Sequence, residues 1–225
     1  MEVAVIIPAL NEEQAIGQVL AEVPRDLVCD VIVVDNGSTD GTAAAARAAG
    51  ARVVAEARRG YGSACLRGIA ELRDPDVVVF LDGDHSDCPE ELPALLQPIA
   101  EDRADLVIGS RTLGRREARS LTPQQLLGNR FACFLFRLIY RRRFTDLGPF
   151  RAIRRTSLLG LGMVDPDFGW TIEMQIKAVR AGLRVVEVPV RYRPRIGRSK
   201  ISGTLRGTLL AGYKIITTIL RYAWR

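Results

Sequence analysis

The sequence predicts an α/β fold: a doubly wound, mostly parallel sheet with helices on both faces. Three observations predict it. Five short apolar runs, rich in β-branched residues, recur through the first 110 residues. Segments with helical apolar spacing separate them. Each run ends in polar residues, which is where such sheets bind ligands, beyond the carboxyl ends of the strands.

The elements follow in order. VAVIIPAL (3–10) is a buried strand, and NEEQAIGQVLAEV (11–23) is a helix with Asn11 as its cap and acids in its first turn. VIVVD (31–35) is a second strand, ending in the turn cluster NGSTDGT. TAAAARAAG (42–50) is a helix stopped by Gly50. ARVVAEA is the third strand, YGSACLRGIAELR (61–73) a helix, and DVVVFLDGD (76–84) the fourth strand. A helix from Pro89 onward is broken in its regularity by Pro93 and Pro98, and ADLVIGSR (104–111) is the fifth strand. The second half is less regular. Residues 124–144 form a long amphipathic helix ending in three arginines, and DLGPFRAIRR a turn and short strand. Residues 169–182 form a helix closed by Gly182. LRVVEVPVRYRP is a strand that Pro189 places at an edge. The simplest division is one domain over 1–202, in two halves, 1–110 and 111–202. An amphipathic helix at 203–225 follows it.

Composition bounds the chemistry. At 48% apolar and 26% charged residues the chain is a folded globular protein. His85 is its one histidine, which excludes a multi-histidine metal site. Four scattered cysteines without a C-x-x-C pair give neither a zinc motif nor a disulfide scaffold, so they are expected to be reduced thiols. The start has no secretory pattern and no run is long enough for a membrane span. The net charge of +6 hides an asymmetry. Residues 1–110 carry 8 basic and 20 acidic side chains, residues 111–155 carry 12 and 2, and residues 191–225 carry 9 and none. Two basic blocks behind an acidic half suit an anionic membrane surface or a phosphate held between them. Nucleic acid is disfavoured, because aromatics are only 6% of the chain and do not interleave with the basic residues.

Asp82-Gly83-Asp84, at the end of an apolar strand, is the sharpest local feature. Two carboxylates there repel unless a cation sits between them, and oxygen-only ligands suit Mg²⁺ or Mn²⁺. The plainer reading is an acid-rich helix start before Pro89. Asp35 to Gly41 reads equally as a cap for the next helix, through Ser38 or Asp40. The first strand-to-helix turn, PALNEE, lacks G-x-G-x-x-G, and GRSKISGT lacks the core of a Walker A loop.

Taken together, IIPALNEE, VVDNGSTDGT, LDGD and GSR form an ordered set that resembles the family 2 glycosyltransferases. The resemblance continues through TDLGPFRAIRR, GWTIEMQIKA and RIGRSKISGT, where it is nearest the polyprenyl-phosphate, dolichyl-phosphate-mannose-synthase-like branch. It implies the GT-A nucleotide-sugar-binding fold and a UDP- or GDP-linked sugar donor. By that resemblance Pro8, Ala9, Asn11 and Glu12 line the nucleotide pocket and Asp35 contacts base or ribose. Asn36, Ser38, Asp82 and Gly83 complete the donor set. Asp82 and Asp84 bracket the metal. Where the branch often has Gln, this chain has Ser86, flanked by His85 and Asp87, so the third protein ligand is left open. Gly148-Pro149 likewise replaces a Ser-Gly pair beside Asp146.

The family inverts the anomeric carbon as the nucleoside diphosphate departs, and positive charge stabilises that leaving group. A hydroxyl acceptor needs a base; Glu173 or Asp87 is the candidate. A phosphomonoester does not, since its second pKa is about 6, and Glu173 would then orient its neighbours. Arg111, Arg130 and Lys200 match the positions facing an acceptor phosphate, and Asp84, Arg111 and Glu173 form the expected catalytic set. A polyprenyl (dolichyl or undecaprenyl) phosphate acceptor would place the enzyme peripherally on the cytoplasmic face of a membrane. FACFLFRLIY with Arg141, Arg142 and Arg143, and the C-terminal helix with Arg206, Lys214 and Arg221, would supply the contact. Packing of both helices on the protein core, on a second copy or on a membrane-protein partner is the alternative. The competing functions are a hydroxyl-directed transferase in the same fold and a non-enzymatic membrane-surface module.

Overall fold

The computed structural model describes residues 1–118, 120–197 and the backbone of 205–223, with side chains there from 210 onward except 211. Arg119, Lys200, Arg206 and Trp224 therefore fall outside the described side chains, and the acceptor role expected of Lys200 lies with them.

Alternation builds the first half: β1 (Val3–Ala9), α1 (Glu13–Glu22), β2 (Asp30–Asp35), α2 (Thr42–Ala48), β3 (Arg52–Ala55), α3 (Tyr61–Ala70), β4 (Val77–Phe80), α4 (Leu92–Ala100) and β5 (Leu106–Ser110). The second half adds α5 (Pro123–Tyr140), β6 (Arg151–Arg154), α6 (Arg155–Leu161), α7 (Trp170–Arg180), β7 (Val185–Pro189) and α8 (Leu205–Ala223). Among the described residues the strands form one seven-stranded sheet in the order β3-β2-β1-β4-β6-β5-β7. Only β6 runs against its neighbours. It pairs antiparallel with β4 and β5, and Arg151 faces both Phe80 and Ile108. The two halves of the chain thus share a single sheet.

Side chains alternate across that sheet, as strand geometry requires. Val3, Val5 and Ile7 of β1 pack with α1 and α4 on one face, through Ile16, Leu20 and Leu95. Ile6 and Phe80 face the other layer, where Phe136, Trp170 and Ile219 come from α5, α7 and α8. Burial on both faces explains why β1, β2 and β4 read as unbroken apolar runs.

Some expected elements change. The fourth strand ends at Phe80, not Asp84, because the Asp82 amide leaves the ladder and donates to the Asp87 carboxylate at 3.1 Å. Asn11 does not cap α1. It takes a left-handed φ of 54°, and Glu12 holds the N-cap position. Helix α6 was not expected; it is a seven-residue helix in a segment too short for a clear period, closed by Gly162 at φ 54°. Pro189 ends β7 at the sheet edge, where a missing donor costs no ladder bond. A capping box between Thr122 and Gln125, with Pro123 at the first helical position, starts α5.

Candidate active site

The chain runs outward from β1 to β2 and β3, then returns to place β4 on the other side of β1. The connections leave opposite ways there, opening a crevice beyond the carboxyl ends of the strands. A cleft of about 390 Å³ occupies it, lined by Pro8, Ala9, Glu12, Asn36, Asp82, Gly83 and Asp84. That volume lies in the range of small-ligand sites.

The loops around the cleft brace one another. The Asn11 amide donates to Ser38 Oγ at 2.9 Å, and Asn11 Oδ1 accepts from the Thr39 amide at 2.8 Å. Asp35 Oδ1 accepts from the Ser38 amide at 2.9 Å. Asn11, Asp35 and Ser38 therefore stand behind the lining and hold the β1 and β2 loops together. Asn36 shapes the third loop: its side-chain amide donates to the Arg58 carbonyl at 2.7 Å, and its Oδ1 accepts from the Gly60 amide at 2.8 Å.

The acids gather at the β4 end. Asp84 is buried; its Oδ1 accepts from the Ser86 amide at 2.9 Å and from Ser86 Oγ at 2.5 Å. Asp84 Oδ2 lies 3.0 Å from Arg195 Nη1, and the same guanidinium reaches Glu12 Oε1 at 2.8 Å. Ser86 thus backs Asp84 rather than lining the cleft. Burial, reinforced by the charges of Asp84 and Asp87, pushes the Asp82 carboxyl well above the usual range. Asp87 is pushed up to about 7, chiefly by burial. Its Oδ1 is buried without a hydrogen-bond partner among the described residues.

This donor set fits a hard divalent cation. Asp82 and Asp84 offer oxygen ligands, and a cation would offset both the burial and the carboxylate repulsion that raise the Asp82 pKa. No group of three or more acidic, histidine or cysteine side chains suited to a metal occurs among the described residues. Further ligands would have to come from a bound diphosphate or water, as is usual for Mg²⁺.

The other expected residues lie elsewhere. Arg111 forms a two-pronged pair with buried Asp146, Nε to Oδ2 at 2.8 Å and Nη2 to Oδ1 at 2.7 Å, and lies over the Tyr192 ring. It lines a second cavity of about 240 Å³ between α5 and α8, beside Asn129, Ala132, Leu147 and Ile216. Arg130 is exposed on α5. His85 turns away to Glu22 at 3.0 Å. Glu173 requires a correction. It is fully buried and accepts from the Asp165 amide at 2.7 Å and the Tyr222 hydroxyl at 2.6 Å, while Lys177 lies at 2.9 Å. These contacts overcome burial and lower its pKa. A carboxylate so surrounded is a structural junction and does not face the cleft as a base.

Several lining residues were not foreseen: Arg59, Tyr61, Asp167, Phe168 and Arg195. Arg195 is the first residue of RIGRSKISGT, where its charge blends into a basic run. Asp167 and Phe168 belong to a turn before α7 that carries no chemical signature of its own.

Comparison with known proteins agrees with this geometry. The family model described as Glycosyl transferase family 2 matches residues 4–161. An uncharacterised glycosyltransferase of Mycobacterium tuberculosis is 41% identical over 211 residues, covering 93% of this chain and 94% of the relative. The undecaprenyl-phosphate mannosyltransferase of Micrococcus luteus is 35% identical over 224 residues, covering 92% of this chain and 90% of that one. Among solved structures, glucosyl-3-phosphoglycerate synthase from Mycobacterium tuberculosis, in complex with Mn²⁺, UDP and phosphoglyceric acid, superposes with a TM-score of 0.79. It is 27% identical, covering 99% of this chain and 78% of the other.

Proposed function

Because the chain belongs to glycosyltransferase family 2 and is a nucleotide-sugar-dependent transferase of the GT-A fold, we propose that it moves a hexose or N-acetylhexosamine from a UDP- or GDP-linked donor to a polyprenyl phosphate. The observation that carries the donor side is the Asp82–Asp84 pair at the cleft floor, with Arg195 bridging Asp84 and Glu12. The polyprenyl-phosphate acceptor is supported by the relative that acts on undecaprenyl phosphate.

The residues divide the work as follows. Pro8, Ala9 and Asn36 wall the nucleotide end of the cleft. Asp82 and Asp84 would hold Mg²⁺ or Mn²⁺, which when bound offsets the charge developing on the departing diphosphate. Arg195 reaches the same place and can share that charge once Asp84 is otherwise engaged. Arg111, fixed by Asp146, and Arg130 on the α5 surface supply positive charge on the acceptor side. Lys200 joins them in this proposal. A phosphate acceptor needs no base, which agrees with Glu173 being sealed in the core.

Membrane contact is part of the proposal. Leu127, Phe131, Phe134 and Leu138 recur at helical spacing on α5 and are all exposed, between 50% and 71%. Arg130, Arg137 and Arg141 to Arg143 border them, also exposed. Leu210, Tyr213 and Leu220 are exposed on α8, which packs beside α5. An apolar stripe edged by cations is the pattern of an interfacial helix on anionic lipid. No helix among the described residues is long and apolar enough to cross a membrane. We place the enzyme peripherally, on the cytoplasmic face.

A second reading has its own support. The phosphoglyceric acid bound in the solved neighbour carries hydroxyl as well as phosphate. A hydroxyl acceptor would require Asp87 as base, the acid beside the site whose Oδ1 has no hydrogen-bond partner among the described residues. The deciding experiment incubates the protein with Mn²⁺, a panel of nucleotide sugars and either undecaprenyl phosphate or phosphoglyceric acid. Sugar extractable into organic solvent, from one donor, is the expected result. Transfer confined to phosphoglyceric acid would replace the first reading with the second.

A further inference from the structure

The buried carboxylate of Glu173 lies where three segments meet. Its Oε2 accepts from the Asp165 amide at 2.7 Å, and the Val164 amide lies 3.2 Å from both oxygens. Its Oε1 accepts from the hydroxyl of Tyr222, on the last turn of α8, at 2.6 Å. Lys177, one turn along α7, completes the charge balance at 2.9 Å. A second tie runs in parallel: Lys214 of α8 reaches Asp165 Oδ2 at 3.1 Å.

The segment held by these ties is also part of the cleft. Asp165 Oδ1 accepts from the Asp167 amide at 2.9 Å, and Asp167 and Phe168 line the cleft wall. On its other side the segment is wedged against the start of α3. The Pro166 carbonyl accepts from the Ser63 amide at 2.8 Å, and a Cβ on Gly62 would stand 2.0 Å from the Asp165 carbonyl oxygen. With that backbone approach so close, the segment has no slack toward α3. Gly60, Tyr61 and Ala64, beside the contact, line the cleft themselves. Short, charge-assisted contacts thus join α8 directly to the segment that carries the cleft wall.

We propose that Glu173 is a positioning residue that couples the seating of α8 to donor binding. Through Tyr222 it sets the place of residues 164–168, and so of Asp167 and Phe168 in the cleft. The exposed side of α8 and the donor cleft become two linked sites, and by reciprocity an occupant of either biases the other. This inference rests on the reading of the cleft as the donor site.

The test uses the full chain with UDP or GDP plus Mn²⁺ as the probe, and the isosteric variant Tyr222→Phe, which removes one hydroxyl and leaves the packing. Nucleotide affinity should fall roughly fivefold or more, with donor KM rising while kcat changes less. Glu173→Gln should do the same. The two effects should not add in the double variant, because they break one connection. Hydrogen exchange at the Val164 and Asp165 amides should quicken in Tyr222→Phe. Unchanged nucleotide affinity in a Tyr222→Phe protein whose parent binds normally would overturn the coupling, as would fully additive effects. If the parent protein takes up no nucleotide, the donor-site reading fails. Exchange at 164–165 then decides the mechanical link alone, and an unchanged rate there sinks it.

Discussion

The acidic first half and the basic second half of this chain build their binding surfaces in opposite ways. Residues 1–110 place their polar groups at the ends of buried parallel strands, so the lining of the cleft follows from the sheet itself: Pro8 after β1, Asn36 after β2, Asp82 and Asp84 after β4. Residues 111–225 place charge on helices and loops whose positions depend on contacts far apart in sequence. Arg111 is fixed by Asp146, and α8 by Tyr222 on Glu173. The first arrangement gathers negative charge at considerable electrostatic cost. The second turns the apolar stripe of α5 and its bordering arginines outward, while Arg111 and Arg151 are held inside. The difference teaches that the cleft lining follows from the sheet itself, while the second half presents a surface assembled by contacts far apart in sequence.

The sharpest way to break this comparison is Asp84→Ala. The acidic rim should be the chemical centre, so transfer should fall by about 10³-fold with the fold intact. Initial rates alongside thermal unfolding check it, and near-normal activity would remove the rim from the chemistry.

Next is the contrast between two arginines of the second half. Arg111→Ala leaves the buried carboxylate of Asp146 without its partner and should destabilise the protein by about 3–5 kcal/mol in urea unfolding. Arg130→Ala, on an exposed site, should change stability by no more than about 0.5 kcal/mol while weakening transfer to polyprenyl phosphate. Equal stabilities would dissolve the distinction between a fixed and a surface cation.

A smaller effect comes from the acidic cluster. Asp87 titrates at about 7 in the folded chain, against roughly 3.9 when unfolded. The folded state thus holds an extra proton between those values. This group's stabilising contribution is complete below about pH 4 and declines until it is lost above about pH 7. Asp87→Asn should therefore gain stability over the parent as pH rises through that window, with little difference at its lower end. Unfolding midpoints measured from pH 4 to 8 test this, and a constant offset would contradict the buried-acid account.

The smallest expected effect lies at the C-terminal end of α5, at its cap residue Arg141. Replacing Arg141 by Gln should weaken binding to anionic phosphatidylserine vesicles by about 1 kcal/mol, with no change in nucleotide affinity. Co-sedimentation reads it, and loss of nucleotide binding instead would merge two surfaces that this account separates.

The same contrast explains what the sequence made legible. Strand runs such as VIVVD and the LDGD turn carry their structural role locally, so β1 to β5 and the Asp82–Asp84 pair could be read in advance. The antiparallel entry of β6 between β4 and β5 depends on pairing partners more than 40 residues away, and no local pattern encodes it. Glu173 was misplaced for a related reason. An acid in the first turn of a helix reads as exposed or functional, and only the arrival of Tyr222, Lys177 and the 164–165 amides shows why it is buried. Arg195 was hidden among the basic residues of 191–200, and its pairing with Asp84 and Glu12 emerges only when 193–196 pack along the loop after β4.

The most direct measurement is a calorimetric titration of UDP and GDP into the intact protein, with and without Mn²⁺, repeated on Asp82→Ala. The account predicts that one nucleotide binds, that binding depends on the metal, and that the substitution abolishes this dependence. Equally tight, metal-independent binding to the parent and the variant would contradict it.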